Sequence, residues 1–514
     1  EPQTYNQAIK HKHWQQAIQD ELTAMEVNNT WTVQPLPLGK KPISCEWLFK
    51  LKLNSDGSVA KHKARLVARG FTQQYGLDFQ ETFSPVAKIT ILRVLLAVAA
   101  SNHWHLAQLD VNNAFLNGTL AEEIYMQIPP GYSTSNTKTT TPLVCKLNRS
   151  IYGLKQASRS WFNKFSNTLI SHGFTQSKYD YTLFTKGSKA TFIAVLVYVD
   201  DIVLASPSSN MNNGAKTMLQ RQFKLKDLGD LKFFLGLELL KSREGIYLCQ
   251  RHYTLAILED SGMLACKPSA VPMEANLKLH TESGTKLPNP GIYRRLIGRF
   301  LYLTISQPDI CYAVHKLSQF VSNPHSDHMN AVNVLLRYLK NTAGQGILFK
   351  ANFDTRLHAY VDANWGSCID SRRSSTGFCI FLGNSLISWK AKRQKTVSHS
   401  SAEAEYRSLA SVASELVWLK NLLTDFQVNT THAAVYYDNK AAIHIASNPT
   451  FHERTKHLEI DLHFVREQVS RGMLKLFHVR KFHQLADVFT KALPRNVFLS
   501  ILSKMGVDNI FLPS

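Results

Sequence analysis

The stretch "FIAVLVYVDDIVLAS", Phe192 to Ser206, sets two adjacent carboxylates, Asp200 and Asp201, inside a run that otherwise reads as buried strand. Two unpaired anions in a dry site are very costly, so the pair must be solvated, protonated or bound to a cation. The residues from Val195 to Val199 lead in and those from Ile202 to Ala205 lead out. Few residues remain for a turn, so the pattern predicts a hairpin with both acids projecting from its tip. A hard divalent cation would stabilise such a pair, because carboxylate oxygen suits magnesium. A plain polar turn is the alternative, since Asp is common in turns, and the pair alone favours that alternative.

A third carboxylate changes the balance. In "HLAQLDVNNAFLNG" (105–118), Asp110 closes an apolar run from Leu106 to Leu109 that only Gln108 interrupts. The segment resembles a second strand that delivers a carboxylate at its end. Three clustered carboxylates on adjacent strands match the demand of two-metal phosphoryl and nucleotidyl transfer.

The rest of the chain gives this pattern a setting. Its 514 residues exceed one compact core and imply two to four domains. The composition, 44% hydrophobic and 19% charged, is that of a globular protein rather than a disordered tail. Lys and Arg number 59 against 38 Asp and Glu, a net charge of +21 that favours a polyanionic partner. The seven cysteines form no CxxC pair, which points to a reducing compartment without structural zinc. The most apolar segment, "ITILRVLLAVAAS" (89–101), is broken by Arg93 and reads as a buried helix rather than a membrane span. No signal peptide is recognisable. The chain begins with Glu1 rather than Met, which suggests a piece of a longer polyprotein.

Along the chain, Ala8, Trp14, Ile18, Leu22 and Met25 recur at helical spacing. Two apolar runs then flank "NSDGS", a hairpin signature. Residues 40–71 carry eight Lys or Arg against Glu46 and Asp56, so this hairpin reads as a phosphate-gripping element more than a solvated edge. Four prolines in 267–291 mark a linker, and 293–345 reads as helical. From about residue 353 strand patterns return, followed by a helix capped at Ser400 or Ser401.

With these residues in view, "YVDD" in an apolar hairpin resembles the reverse-transcriptase signature. The surrounding text resembles the copia-type branch of LTR-retrotransposon Pol polyproteins along nearly the whole chain. "KARLVARGFTQQYGLDFQETFSPVA", "QLDVNNAFLNGTLAEEIYMQIPPGY", "SIYGLKQASRSWF", "SSAEAEYRSLA" and "LADVFTKALP" carry the likeness. It implies an α/β and α+β multidomain fold: a right-hand polymerase with fingers, palm and thumb over 1–266 and a linker over 267–292. A helical connector over 293–352, an RNase H-like domain over 353–495 and a tail over 496–514 would follow.

The resemblance also assigns roles. Asp110, Asp200 and Asp201 match palm ligands for two magnesium ions, or manganese in their place, as a primer 3′-hydroxyl attacks the α-phosphate of a dNTP. Val111 would lend a backbone carbonyl. Phe115 falls where the family keeps a bulky ring against a ribose 2′-hydroxyl, with a plain core phenylalanine as the alternative. Lys63, Arg65 and Arg69 match the basic finger segment that meets the triphosphate. Gln156 matches a segment lining the template–dNTP site. There the family often has "QAPR" and this chain has "QASR", so Ser158 removes a backbone restraint but no catalytic group.

Downstream, Asp362 and Asp438 end strand patterns, Glu405 lies on the capped helix and Asp487 sits in "HQLADVFTKAL". As an ordered set they form the pattern of an RNase H fold, whose two ions serve hydrolysis of the RNA strand of a hybrid. Glu403 rivals Glu405 but suits a first-turn dipole partner. The family's "DADW" is "DANW" here, and neither His478 nor His483 has a spacing that assigns it a role. His452, His457 and His463 are spaced irregularly beside the stripe Leu458, Leu462, Val465 and Val469, which favours an amphipathic helix over a metal cluster. The basic run "WKAKRQK" (389–395) offers a hybrid-binding handle through Trp389. Asp260-Ser261-Gly262 looks like an aspartic-protease loop but suits a helix C-terminus better.

The expectation is thus a bifunctional reverse transcriptase–ribonuclease H. Its partners would be an RNA template, a DNA primer, RNA–DNA hybrid and dNTPs, with no membrane. A homodimer stays open, and protease and integrase belong to the parent polyprotein. Its place would be the cytoplasm, in a virus-like particle, with the nucleus as a second compartment. The competing expectation is a degenerate or domesticated nucleic-acid-binding remnant without catalysis. That reading predicts decay of the acids, and all seven are present.

Overall fold

The computed structural model describes residues 1–514 apart from 54–55, 57, 134–141, 353, 441–458 and 512–514. Strands Ile193–Tyr198 and Asp201–Ser206 form the expected antiparallel hairpin, with Val199 and Asp200 as its turn. They sit in a six-stranded sheet whose order is Leu225–Asp230, His105–Val111, Asp201–Ser206, Ile193–Tyr198, Leu183–Lys186, Thr175–Gln176. The hairpin is apolar throughout because both of its faces are covered. Ile202 and Leu204 join one core, with Trp161 and Phe165 of helix Ala157–Ser171. Val203 and Ala205 join another, with helix Ile89–Ser101. Alternate residues on a strand point to opposite faces, so two buried faces demand an unbroken apolar run.

Helix Ile89–Ser101 is buried nearly all round, as its composition predicts. Arg93, only 5% exposed, donates from Nη2 to the Ile305 carbonyl at 2.6 Å and stacks 3.5 Å from the Trp389 ring. The N-terminal helix Lys12–Val27 buries Trp14, Ile18, Leu22 and Met25 and packs on strand Val59–Ala68. That strand pairs with Cys45–Leu53, and residues 54, 55 and 57 of the "NSDGS" turn lie outside the described residues.

The proline-rich segment between Asp260 and Asn289 holds no helix or strand. Asn289 accepts from the Gly291 amide and Pro290 opens helix Pro290–Leu303, a well-capped start. Helices Cys311–Ser318 and Ser326–Asn341 follow. Strand Gln345–Lys350 then enters a five-stranded sheet between Gly245–Cys249 and Val507–Asn509. That sheet therefore draws strands from the first 266 residues, from the helical stretch and from the C-terminal tail.

The last sheet has the order Ser385–Arg393, Ser375–Leu382, Leu357–Asn364, Ala433–Tyr437, Leu474–His478. The first three strands are antiparallel, and the last two run parallel to Leu357–Asn364. Helix Ser401–Asp425 crosses this sheet, capped by the Ser400 hydroxyl on the Glu403 amide. Antiparallel strands 1-2-3 with two added parallel strands and a covering helix give the expected RNase H-like architecture. The same helix meets earlier segments: Trp418 Nε1 donates to the Tyr179 carbonyl at 3.0 Å, and Lys88, which precedes helix Ile89–Ser101, lies 4.4 Å over the Trp418 ring. Among the described residues no helix is long and apolar enough to cross a membrane.

Candidate active sites

The first centre follows from strand register. Asp201 pairs directly with Asp110 across the sheet, and the Val111 amide donates to the Asp200 carbonyl at 2.9 Å. All three carboxylates are half-buried. Burial raises the pKa of Asp201; a hydrogen bond from Gln108 Nε2 at 3.2 Å opposes this, and the charges of Asp200 and Asp110 add to it. Crowded acids of this kind are neutralised by a proton or a cation. The turn itself is tense. Val199 has φ 55°, a left-handed conformation that β-branched residues avoid. Trp161 Nε1 donates to the Val199 carbonyl at 2.7 Å and holds it there.

The basic residues separate once placed. Lys63 is half-buried; burial lowers its pKa and the neighbouring Arg65 and Lys52 reinforce this, while Glu21 and Asp110 oppose it. Arg65 stacks 4.9 Å from the Tyr152 ring, whose centroid is 5.2 Å from that of Phe115. Arg69 instead forks onto Glu46, at 3.2 and 2.8 Å, across its own hairpin. Phe115 lies on the short helical turn Ala114–Asn117, half-buried, with its carbonyl held by the Ser150 hydroxyl. Gln156 lines a polar cleft of about 790 Å³, yet its amide is engaged: it donates to the Asp78 carbonyl at 3.0 Å and accepts from Gln73 at 3.1 Å. Glu21 escaped sequence reading. Burial raises its pKa while Lys63 and Arg65 oppose the shift, and it lines a cavity of about 500 Å³ with Lys63, Asn113 and Lys224.

The second centre is tighter. Asp362 on strand Leu357–Asn364, Glu405 on the capped helix and Asp438 just beyond strand Ala433–Tyr437 each offer an oxygen within 4.8 Å of the others. Among the described residues this is the one such group, so the three acids of the first centre are less closely drawn together. Glu405 is pushed up to about 8, by burial first and then by Asp362, while the Tyr437 hydroxyl donates to it at 2.7 Å. Asp487, at the start of helix Asp487–Thr490, is pushed up to about 6 by burial and by Asp362. The Thr490 hydroxyl donates to Asp362. An all-carboxylate set this crowded and this buried fits a hard divalent cation.

Two readings sharpen here. Glu403 is not in the group: it accepts from the His399 amide at 2.7 Å and pairs with Arg407 at 2.8 Å, serving the helix start. Trp389 is no free handle, because its ring covers Arg93 and its Nε1 donates to the Thr304 carbonyl at 3.2 Å. His452, His457 and Leu458 lie outside the described residues, as does the side chain of Leu462; Val465 is buried as expected. Lys491 was missed altogether. Its Nζ lies 2.8 Å from Asp487 and 3.6 Å from Asp362, and its spacing of four from Asp487 was the available signal.

Residues 28–275 match the family model described as reverse transcriptase (RNA-dependent DNA polymerase). The chain is 44% identical over 512 residues to the retrovirus-related Pol polyprotein from transposon RE2 of Arabidopsis thaliana, covering 99% of this chain and 35% of that protein. It is 30% identical over 311 residues to the putative transposon Ty5-1 protein of Saccharomyces cerevisiae, covering 60% of this chain and 100% of that protein. The chain thus spans about a third of the length of the Pol polyproteins it matches. Among solved structures, the foamy viral protease-reverse transcriptase in complex with dsDNA is similar with TM-score 0.50 and 12% identity, over 92% of this chain and 84% of that one. At that identity the likeness is one of fold.

Proposed function

Because this chain belongs to the reverse transcriptase (RNA-dependent DNA polymerase) family, among the copia-type retrotransposon Pol polyproteins, we propose that it copies RNA into DNA and degrades the RNA strand of the resulting hybrid. The observation that carries the proposal is the pair of separate carboxylate centres, one on neighbouring strands of the six-stranded sheet and one where helix Ser401–Asp425 meets the last sheet. Asp110, Asp200, Asp201 and the Val111 carbonyl would hold cations at the first. Asp362, Glu405, Asp438 and Asp487 would hold them at the second. Divalent ions bound there, magnesium or manganese, would supply charge neutralisation of phosphate oxygens and acidify a hydroxyl or water.

The chain's own groups do the rest. Lys63 and Arg65 border the first centre and offer positive charge to a triphosphate. The Phe115 ring would be the group that excludes a ribose 2′-hydroxyl, and its packing against Tyr152 and the Ser150 contact to its carbonyl support that reading by fixing it in place. Tyr437 and Thr490 orient Glu405 and Asp362. In this reading residues 1–266 carry polymerisation, 353–495 carry cleavage, and 267–352 with the tail join them. The substrates are an RNA template, a DNA primer, dNTPs and the hybrid. The setting is a parent polyprotein and a cytoplasmic particle.

The test is a labelled DNA primer on an RNA template, supplied with dNTPs and magnesium. Primer extension together with shortening of the RNA supports the proposal. Hybrid binding with neither product would instead support a non-catalytic remnant.

A further inference from the structure

The second centre contains a cation of its own. Lys491 Nζ bridges Asp487 Oδ1 at 2.8 Å and Asp362 Oδ2 at 3.6 Å. Asp362, Glu405 and Asp438 gather their oxygens within 4.8 Å without its help. A divalent ion can therefore enter among those three with no side chain leaving. The space between Asp362 and Asp487 is different, because the ammonium fills it.

We propose that Lys491 holds the place of one cation at this centre, so that the two cation positions fill unequally and the second fills only when the lysine swings away. The inference rests on reading the four acids as a cation centre. An ion that sits about 2.0–2.1 Å from carboxylate oxygens cannot share that space with an ammonium ion-paired to Asp487 and lying 3.6 Å from Asp362. The backbone around the lysine is fixed: its amide donates to the Asp487 carbonyl at 3.1 Å, and Thr490 donates to Asp362. The side chain is not enclosed. It is 30% exposed against 4% and 9% for the two acids, so it has a path to solvent that they lack. The lysine thus keeps four crowded acids neutralised in part while the position is vacant, and yields it when a hybrid brings its own phosphate oxygens.

The test uses the full chain carrying Asp200→Asn and Asp201→Asn to disable the first centre. Manganese alone is titrated in, and free ion is read by electron paramagnetic resonance. The parent should bind one ion tightly and one weakly. Lys491→Gln should strengthen the weak event by about tenfold and leave the tight one within about twofold. Lys491→Arg, which keeps the charge, should retain the unequal pattern. Lys491→Met repeats the neutral test should the glutamine variant fail to give a cooperative melt. A neutral variant with the parent's isotherm overturns the inference while leaving the cation centre intact. Absence of ion binding in parent and variants alike overturns the reading of the four acids itself.

Discussion

The indole N–H of Trp161 donates to the carbonyl oxygen of Val199 over 2.7 Å. Val199 is the residue whose left-handed backbone makes the turn that presents Asp200. Such a conformation costs of order 1–3 kcal/mol at a β-branched residue and persists only when its surroundings enforce it. Trp161→Phe keeps an aromatic ring in the core but deletes the donor. A lost hydrogen bond of about 1 kcal/mol that positions a reacting group should lower the rate of nucleotide incorporation by roughly fivefold. Hybrid cleavage should stay near the parent rate. Single-nucleotide incorporation at saturating dNTP measures this, and an unchanged rate would remove the positioning role.

The finger cations should not act alike. Lys63 faces Glu21 and Asp110, and Arg65 lies over Tyr152, whereas Arg69 is occupied by Glu46. Loss of a charge-assisted contact to a triphosphate should raise KM for dNTP by about tenfold or more in Lys63→Ala or Arg65→Ala. Arg69→Ala should change it by less than about threefold, as expected for an exposed ion pair. Steady-state kinetics with one varied dNTP distinguishes them, and the reverse ranking would exchange the assignments.

Phe115 can be tested by what it excludes. Phe115→Val shortens the ring that packs beside Tyr152. Incorporation of a ribonucleotide relative to the matching deoxynucleotide should rise by at least about tenfold, since steric rejection is worth a few kcal/mol. Sugar discrimination equal to that of the parent would leave Phe115 as a core residue.

Stability should depend on pH through Asp309, which is buried beside the Tyr338 hydroxyl at 2.7 Å and pushed up from 3.8 to about 6 by burial. Below pH 3.8 both folded and unfolded states hold the proton and Asp309 contributes nothing. Between pH 3.8 and about 6 the unfolded chain ionises first, so stability falls as pH rises, and then levels off. The shift corresponds to about 3 kcal/mol. Asp309→Asn still accepts from Tyr338 and cannot ionise. Its melting temperature should exceed the parent's at pH 7.5, and the gap should close near pH 4. A gap independent of pH would rule out this account.

Much of this was legible in the sequence where one residue pattern has one structural solution. The apolar run around Asp200 left room only for a tight hairpin, and the Leu106–Asp110 run could deliver a third acid only as a neighbouring strand. Glu405 could be preferred over Glu403 because "EYRSL" resembles the frame of the family's helical glutamate, while Glu403 falls in the first turn beside its cap. The remainder depended on contacts between distant segments. Trp389 looked like a surface handle because nothing local shows that Arg93, nearly three hundred residues earlier, lies beneath it. Arg69 looked equivalent to Lys63 until cross-strand register placed Glu46 beside it. The strand Gln345–Lys350 ends a helical stretch because its partner strands lie on either side of it in space, one of them near the C-terminus. Lys491 drew no reading because nothing local shows that Asp362, well over a hundred residues earlier, lies against it.

The central claim, that two independent carboxylate centres perform two reactions, is tested most directly by one pair of variants in one assay. On a labelled RNA template and DNA primer with magnesium, Asp200→Asn should abolish primer extension while cleavage of the RNA strand continues near the parent rate. Asp438→Asn should extend the primer normally and leave the RNA intact. Loss of both products in both variants, with native melting curves, would contradict the assignment of one reaction to each centre.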